Sequence, residues 1–222
     1  MHKRYAAAAL GSLLMFAPWA GVQASTPLTL GEQFTLRSHT GQAMGLALTD
    51  VIKAKSVGIA TNASSICASL TGAMGGQIVA KGKGGLGVAS LNSAEDAARA
   101  YAAVKDQEAI ALIFGGQTPA EENYALVRAM LKELAQNDYQ GAVLLHVRVW
   151  LPKMAQRAAS EDAQIAQYLA GKKNLYTVTV DAQKGRALVH QVSVSADAQR
   201  SVRVLHEVAM NDSWLELFKR SI

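Results

Sequence analysis

The sequence predicts an α+β domain, with mixed α/β as the alternative, in which helices pack on a largely antiparallel sheet. Strand-like and helix-like stretches alternate from 109 to 171, the pattern of a β-α-β-α crossover segment. After Gly171 short β-branched runs follow one another across a turn sequence. Helix-start signals precede apolar residues at helical spacing along the second half of the chain. With 50% hydrophobic and 18% charged residues among 222, there is material for a substantial core.

The amino terminus reads as an export signal. His2, Lys3 and Arg4 form a basic start, Tyr5–Ala20 is uncharged, and Val22-Gln23-Ala24-Ser25 offers small residues to a signal peptidase. Residues 1–24 are expected to be removed at about 24/25, and the apolar core is too short for a membrane span of roughly 20 residues. The chain is thus expected in the periplasm or secreted. Residues 25–222 are expected to form one exported domain, with 25–87 as an alternative small glycine-rich lobe. The formal charge of +5 falls to +3 once Lys3 and Arg4 are gone, spread along the chain, which gives no argument for nucleic acid binding. Cys67 is the only cysteine, so no internal disulfide can form.

From Ser56 to Ala80 there is no charge, and Lys53, Lys55, Lys81 and Lys83 bracket the run. Ala68, Gly72 and Gly76 stand four apart, a spacing that on a helix allows close backbone approach. The expectation is a buried helix starting near Asn62, then a short strand over 77–80 and a glycine-rich loop. Insertion of 56–80 in a membrane is the alternative, and Asn62, Ser64, Ser65, Thr71 and Gln77 dilute the continuous hydrophobicity it needs.

Ser93-Ala94-Glu95-Asp96 opens a helix buried through Ala97, Tyr101 and Val104. Ala109–Phe114 is a strand. Thr118-Pro119-Ala120-Glu121 is a capping box, followed by Tyr124, Val127, Met130, Leu131 and Leu134 at helical spacing. Gly141–Trp150 is expected as a strand, and Met154–Ala170 as one helix between Pro152 and Gly171. Leu175–Val180 and Arg186–Ser195 flank the turn Asp181–Gly185, whose glycine suits positive φ. A strand over 201–209 follows, then a helix capped by Asn211 and carrying Trp214, Leu215 and Phe218.

Two stretches resemble known families. Tyr176–Gly185 resembles the last hairpin of PepSY domains, which occur in exported bacterial proteins. Ile78–Val104, with Lys81-Gly82-Lys83-Gly84-Gly85-Leu86-Gly87, is similar to the nucleotide-covering loop of ATP-grasp enzymes. That resemblance would imply phosphate cradled by glycine N–H groups. No magnesium-binding carboxylates can be assigned beside it, and the spacing departs from a P-loop. The loop therefore reads as a turn with solvated lysines, and no cofactor is expected.

Candidate chemistry is sparse. His146, His190 and His206 each fall on a strand, and three strand histidines could converge on one metal ion. Nothing in their spacing brings them together, and packing residues is the plainer reading. Cys67 near a helix start, with His146 or His190 as base, would suit a thiol hydrolase, because the macrodipole lowers a thiol pKa. Ile66, Ala68 and Leu70 flank Cys67 and argue for burial. The functional expectation is a non-enzymatic binding or envelope-assembly accessory protein, whose partner is another envelope protein or a small ligand. The alternatives are a cysteine-dependent hydrolase acting on cell-envelope material and a membrane-associated component held through 56–80.

Overall fold

Residues 27–81 and 84–221 are described by a computed structural model. The expected signal peptide at 1–24 and its 24/25 cleavage lie outside them, as do Gly82 and Lys83 of the glycine loop. Helix α1 (Leu30–Leu46) continues into a π-helical turn (Ala47–Val51), and β1 (Val57–Asn62), α2 (Ser65–Ala80) and β2 (Leu86–Leu91) follow. Next come α3 (Ala97–Val104), β3 (Ala109–Ile113), α4 (Ala120–Gln136) and β4 (Ala142–Leu145). Three helices, α5 (Val147–Trp150), α6 (Met154–Glu161) and α7 (Ala163–Gly171), precede β5 (Leu175–Asp181), β6 (Arg186–Val194), β7 (Gln199–Ala209) and α8 (Asp212–Arg220).

The strands form one sheet in the order β2-β1-β3-β4-β5-β6-β7. From β2 to β5 every pairing is parallel, and only β5–β6 and β6–β7 are antiparallel. The fold is therefore the mixed α/β alternative, and the expected antiparallel majority is corrected. The crossover expected around 109–171 is present, and it belongs to a longer parallel run. The parallel majority comes from β1 and β2, which lie in the small-residue and glycine-rich stretches where no β-branched run announces a strand.

The helices divide between two faces. On one, α3, α4, α6 and α7 pack Tyr101, Val104, Val127, Met130, Ala155 and Ile165 on Ala60, Leu112 and Leu145. On the other, α1, α2 and α8 pack Leu36, Met44, Leu70, Met74 and Trp214 on Ile59, Ala111 and Leu144. This division follows from right-handed crossovers: the step from β1 out to β2 runs opposite to the later steps toward β5, so its helix lies on the opposite face.

Close helix approach occurs at other glycines than the spacing suggested. A Cβ on Gly72 or Gly76 would meet nothing within 4 Å, and that strip of α2 is exposed. It is Gly41 and Gly45 of α1 that lie against α2: a Cβ on Gly41 would stand 2.3 Å from the Leu70 carbonyl oxygen, and one on Gly45 2.8 Å from the Gln77 Cβ. Backbone cannot give way there as a side chain can. Gly41→Ala is therefore expected to destabilise the fold by about 1–3 kcal/mol, as overpacking does. Urea unfolding measures this, with Gly72→Ala as a control expected to be neutral or slightly stabilising.

Other element boundaries are corrected for local reasons. Residues 77–80 are the last turn of α2, not a strand, so the strand-then-glycine-loop arrangement of the ATP-grasp resemblance is absent. The stretch 141–150 is a four-residue strand followed by the α5 turn, which places His146 at the strand's end. The helix expected over 154–170 breaks at Asp162, whose carboxylate accepts from the Gln164 and Ile165 N–H groups and restarts the chain as α7. The 181–185 turn, with Gly185 at φ 61°, and the Asn211 cap of α8 are as expected. Among the described residues no helix is long and apolar enough to cross a membrane, and the uncharged 56–80 run is divided between β1 and α2.

Candidate functional site

In open sheets with parallel strands, ligands sit beyond the carboxyl ends of the strands where the chain reverses its direction across the sheet. Here that point lies between β1 and β3: the chain leaves β1 for the edge strand β2, then crosses back to β3. A cavity of about 370 Å3 opens there, lined by Asn62, Ala63, Ser64, Asn92, Thr118 and Leu126 among others.

The floor of this crevice is a buried amide network. Asn62, the last residue of β1 and 3% exposed, donates through Nδ2 to the Gly115 carbonyl at 2.8 Å, to Asn123 Oδ1 at 2.8 Å and to Thr118 Oγ1 at 3.1 Å. Its Oδ1 accepts from the Ser64 hydroxyl at 3.0 Å. Asn123, buried on α4, donates to the carbonyls of Gly115 at 3.3 Å and Thr118 at 2.8 Å. Two amides thus pin the 115–118 loop between β1 and α4. They also explain why the expected capping box at Thr118 does not form: its hydroxyl accepts from Asn62, and Pro119 stands at the cap without a side-chain bond.

Ser64 caps α2, accepting from the Cys67 N–H at 3.2 Å. The Gly115–Gly116 turn packs directly on this cap: a Cβ on Gly116 would stand 2.4 Å from Ser64 Oγ, so only glycine fits. Gly116 also holds φ at 69°, in the left-handed region glycine favours. Gly115 faces the other way, its missing Cβ 3.1 Å from Arg148 Cβ and 3.7 Å from His146 Cε1.

Cys67 lies in the first turn of α2 with 2% exposure, inside the apolar layer under α1. Burial pushes its thiol up, and the Ser64 hydroxyl and the Arg37 charge only partly oppose this. Burial thus opposes the lowering that the helix start would give this thiol. His146 is also buried at 2%, with Nδ1 3.2 Å from the Phe114 carbonyl oxygen and Nε2 without a partner. Desolvation lowers its pKa to about 4, and the charges of Arg37 and Arg148 act in the same direction. Arg37, on α1, is the group whose charge reaches both Cys67 and His146.

His190 and His206 are placed elsewhere. His190, half-buried on β6, bonds Thr179 at 2.7 Å and Ser201 at 2.9 Å. His206 is exposed on β7 opposite Val189. Register partners share a sheet face and neighbouring residues alternate, so His206 and His190 point to opposite faces. Among the described residues no group of three or more His, Cys, Asp or Glu side chains could hold a metal ion.

A larger cavity, about 630 Å3, lies at the opposite end of the sheet, where α4 and α7 finish and β4 and β5 begin. Its buried lysine, Lys172, is occupied: Nζ donates to the Tyr139 carbonyl at 2.6 Å and lies 5.3 and 5.0 Å from the rings of Tyr139 and Tyr168. Burial lowers its pKa to about 8. With its lysine committed to the fold, and at the amino ends of the strands, this cavity is the weaker candidate.

Sequence reasoning passed over Asn62, Asn123, Arg37, Arg148 and the Gly115–Gly116 pair. The available signals were two amides inside otherwise apolar periodic runs and a glycine pair directly after a strand. A family model described as "Uncharacterized protein" matches residues 33–217, and the chain belongs to that family. No curated protein matches it. Among solved structures it is similar to a leucine-binding protein from Thermotoga maritima, at 14% identity over 67% of this chain and 39% of that one, with a TM-score of 0.49. It is also similar to a putative branched-chain amino acid ABC transporter protein from Silicibacter pomeroyi, at 10% identity over 65% and 34% of the two chains, with a TM-score of 0.46. A third is a solute-binding protein of an ABC transporter from Rhodopseudomonas palustris, in complex with p-hydroxybenzoic acid, at 10% identity over 81% and 66%, with a TM-score of 0.48. The chain spans only 39% and 34% of the first two, and superpositions this loose do not bear on function.

Proposed function

We propose that this member of the family is a non-enzymatic binding protein of the periplasm or extracellular space, seating a small ligand in the crevice beyond β1 and β3. The observation that carries the reading is the coincidence of the sheet's reversal point with a polar-floored cavity of about 370 Å3, held open by the Asn62–Asn123 network. The thiol that a hydrolase would need is buried and its pKa is raised, which supports binding over catalysis. The basic, apolar and small-residue order of the first 24 residues supports export.

A small-molecule panel screened by thermal shift and confirmed by calorimetry tests the reading. Ala63 is exposed on the crevice wall, so Ala63→Trp fills the space without disturbing the core. Compounds that stabilise the native protein are expected to lose that effect in Ala63→Trp. Stabilisation that is equal in both proteins removes the crevice as the seat.

A further inference from the structure

Trp214 is 4% exposed, in the apolar layer shared by α1, α2 and α8. Its indole Nε1 is buried and has no acceptor among the described residues. A buried N–H without an acceptor is an unfavourable arrangement, and a buried tryptophan ordinarily stands where that group finds a partner. Packing alone therefore does not account for the residue: Phe or Leu would fill an apolar position without stranding a donor.

The same side chain lines a cavity of about 250 Å3 between α1, α2, the end of β7 and the start of α8. His39 of α1, also on its wall, stacks on the indole with ring centroids 6.0 Å apart and planes 17° from parallel. Ala43, Leu46 and Val208 make the wall apolar, and Gln42 and Gln77 supply amides. Among the described residues lining it there is no Asp, Glu, Lys or Arg, and none of them also lines the crevice beyond β1 and β3. Both ends of α8 are tied, which fixes the ring in place. Asn211 Oδ1 accepts from the Trp214 backbone N–H at 2.8 Å, and Arg220 pairs with Glu32 of α1 at 2.6 Å.

We propose that this cavity is a second binding site, for a small uncharged molecule with an apolar body and one carbonyl or ether oxygen that accepts from the Trp214 indole N–H. Each part of that description answers a feature of the wall. The unmatched group is a donor, so the ligand supplies an acceptor. No carboxylate, ammonium or guanidinium lines the cavity, so a charged ligand would lose its hydration with nothing to pair it. The apolar side chains and the two stacked rings favour an apolar body. The volume lies at the small end of ligand cavities, which limits that body to about one substituted ring.

Proton–nitrogen spectra of residues 25–222, titrated with acetophenone, ethylbenzene and benzoate at neutral pH, test this. The three probes share a shape and differ in acceptor and charge. Trp150 and Trp214 are the only tryptophans of 25–222, so two indole N–H signals are expected. Trp214→Phe assigns them, and Trp150→Phe does so by elimination should the first variant not fold. Acetophenone is expected to move the Trp214 signal downfield with saturation. Ethylbenzene is expected to bind about tenfold more weakly, the upper scale of one net hydrogen bond, and benzoate more weakly than acetophenone. Ala209 is exposed on the cavity wall, so Ala209→Trp fills the space from outside and is expected to abolish the acetophenone shift. Ala63→Trp is expected to leave that shift intact, which separates this site from the crevice. A Trp214 signal that acetophenone leaves in place overturns the inference. So does equal affinity for acetophenone and ethylbenzene, tighter binding of benzoate, or a shift that survives Ala209→Trp. A shift lost in Ala63→Trp but kept in Ala209→Trp assigns the probe to the crevice and overturns the second site alone.

Discussion

Asn62→Ala is expected to destabilise the protein by about 2–4 kcal/mol, well beyond the loss of one ordinary hydrogen bond. The reason is the number of buried groups it strands. Three acceptors, the Gly115 carbonyl, Asn123 Oδ1 and Thr118 Oγ1, share the two hydrogens of its Nδ2. Asn123 is 3% exposed, so its Oδ1 has no water to turn to once Asn62 is gone. Ser64 loses the acceptor for its hydroxyl as well, at the cap of α2. Each buried unsatisfied group costs about 1–3 kcal/mol, and partial relaxation keeps the total below their sum. Urea unfolding of Asn62→Ala, Asn123→Ala and the double variant checks this. The double variant should be less destabilised than the two single changes added together, because the second change then removes a group the first has already stranded. A loss under about 1 kcal/mol for Asn62→Ala, or strict additivity, would show that the two amides do not act as a unit. The same variant is expected to lose ligand stabilisation, because the loop 115–118 that walls the crevice is held by these bonds.

The fold was readable where the chain carries its own punctuation. Asn211 before Trp214, Asp181 before Gly185, and the apolar period from Tyr124 to Leu134 each specify an element locally, and each is found. The parallel half was not readable because its strands are chosen by their neighbours. β1 is Val-Gly-Ile-Ala-Thr-Asn, buried at every position, and Gly58 is required because a Cβ there would stand 2.6 Å from the Cβ of Val104. A small residue selected by a helix 46 positions later carries no local signal for a strand. Burial on both faces also removes the alternation by which an exposed strand is recognised. The site was opaque for a related reason. Cys67 and His146 stood out by residue type, and the structure buries both, with the charge of Arg37, a residue that sequence reading treats as ordinary surface charge, acting on each. What organises the site is a set of amides and glycines whose significance appears only when β1, β3 and α4 meet.

Acid should expose His146 as a stability determinant. Its pKa in the folded protein is lowered to about 4, with desolvation the leading cause, against 6.5 for the free side chain. Between those two values the unfolded chain takes up a proton at this position and the folded protein does not. Stability therefore falls as pH drops from about 6.5 toward 4, and the full contribution, roughly 3 kcal/mol, is gone below the folded value. His190, whose pKa is lowered by partial burial, adds a change of the same sign. The carboxylates with lowered pKa values, Glu32 among them, act only at lower pH: each titrates at or below its ordinary value, so the interval from 6.5 to 5 isolates the histidines. In His146→Gln the side chain retains an N–H that can reach the Phe114 carbonyl but cannot titrate. That variant is expected to be less stable than the native protein at pH 7 and to show a much flatter dependence from pH 6.5 to 4.5. Chemical unfolding at half-unit pH intervals measures both slopes. Parallel slopes in the two proteins would mean that His146 reaches solvent and takes its proton in the folded state.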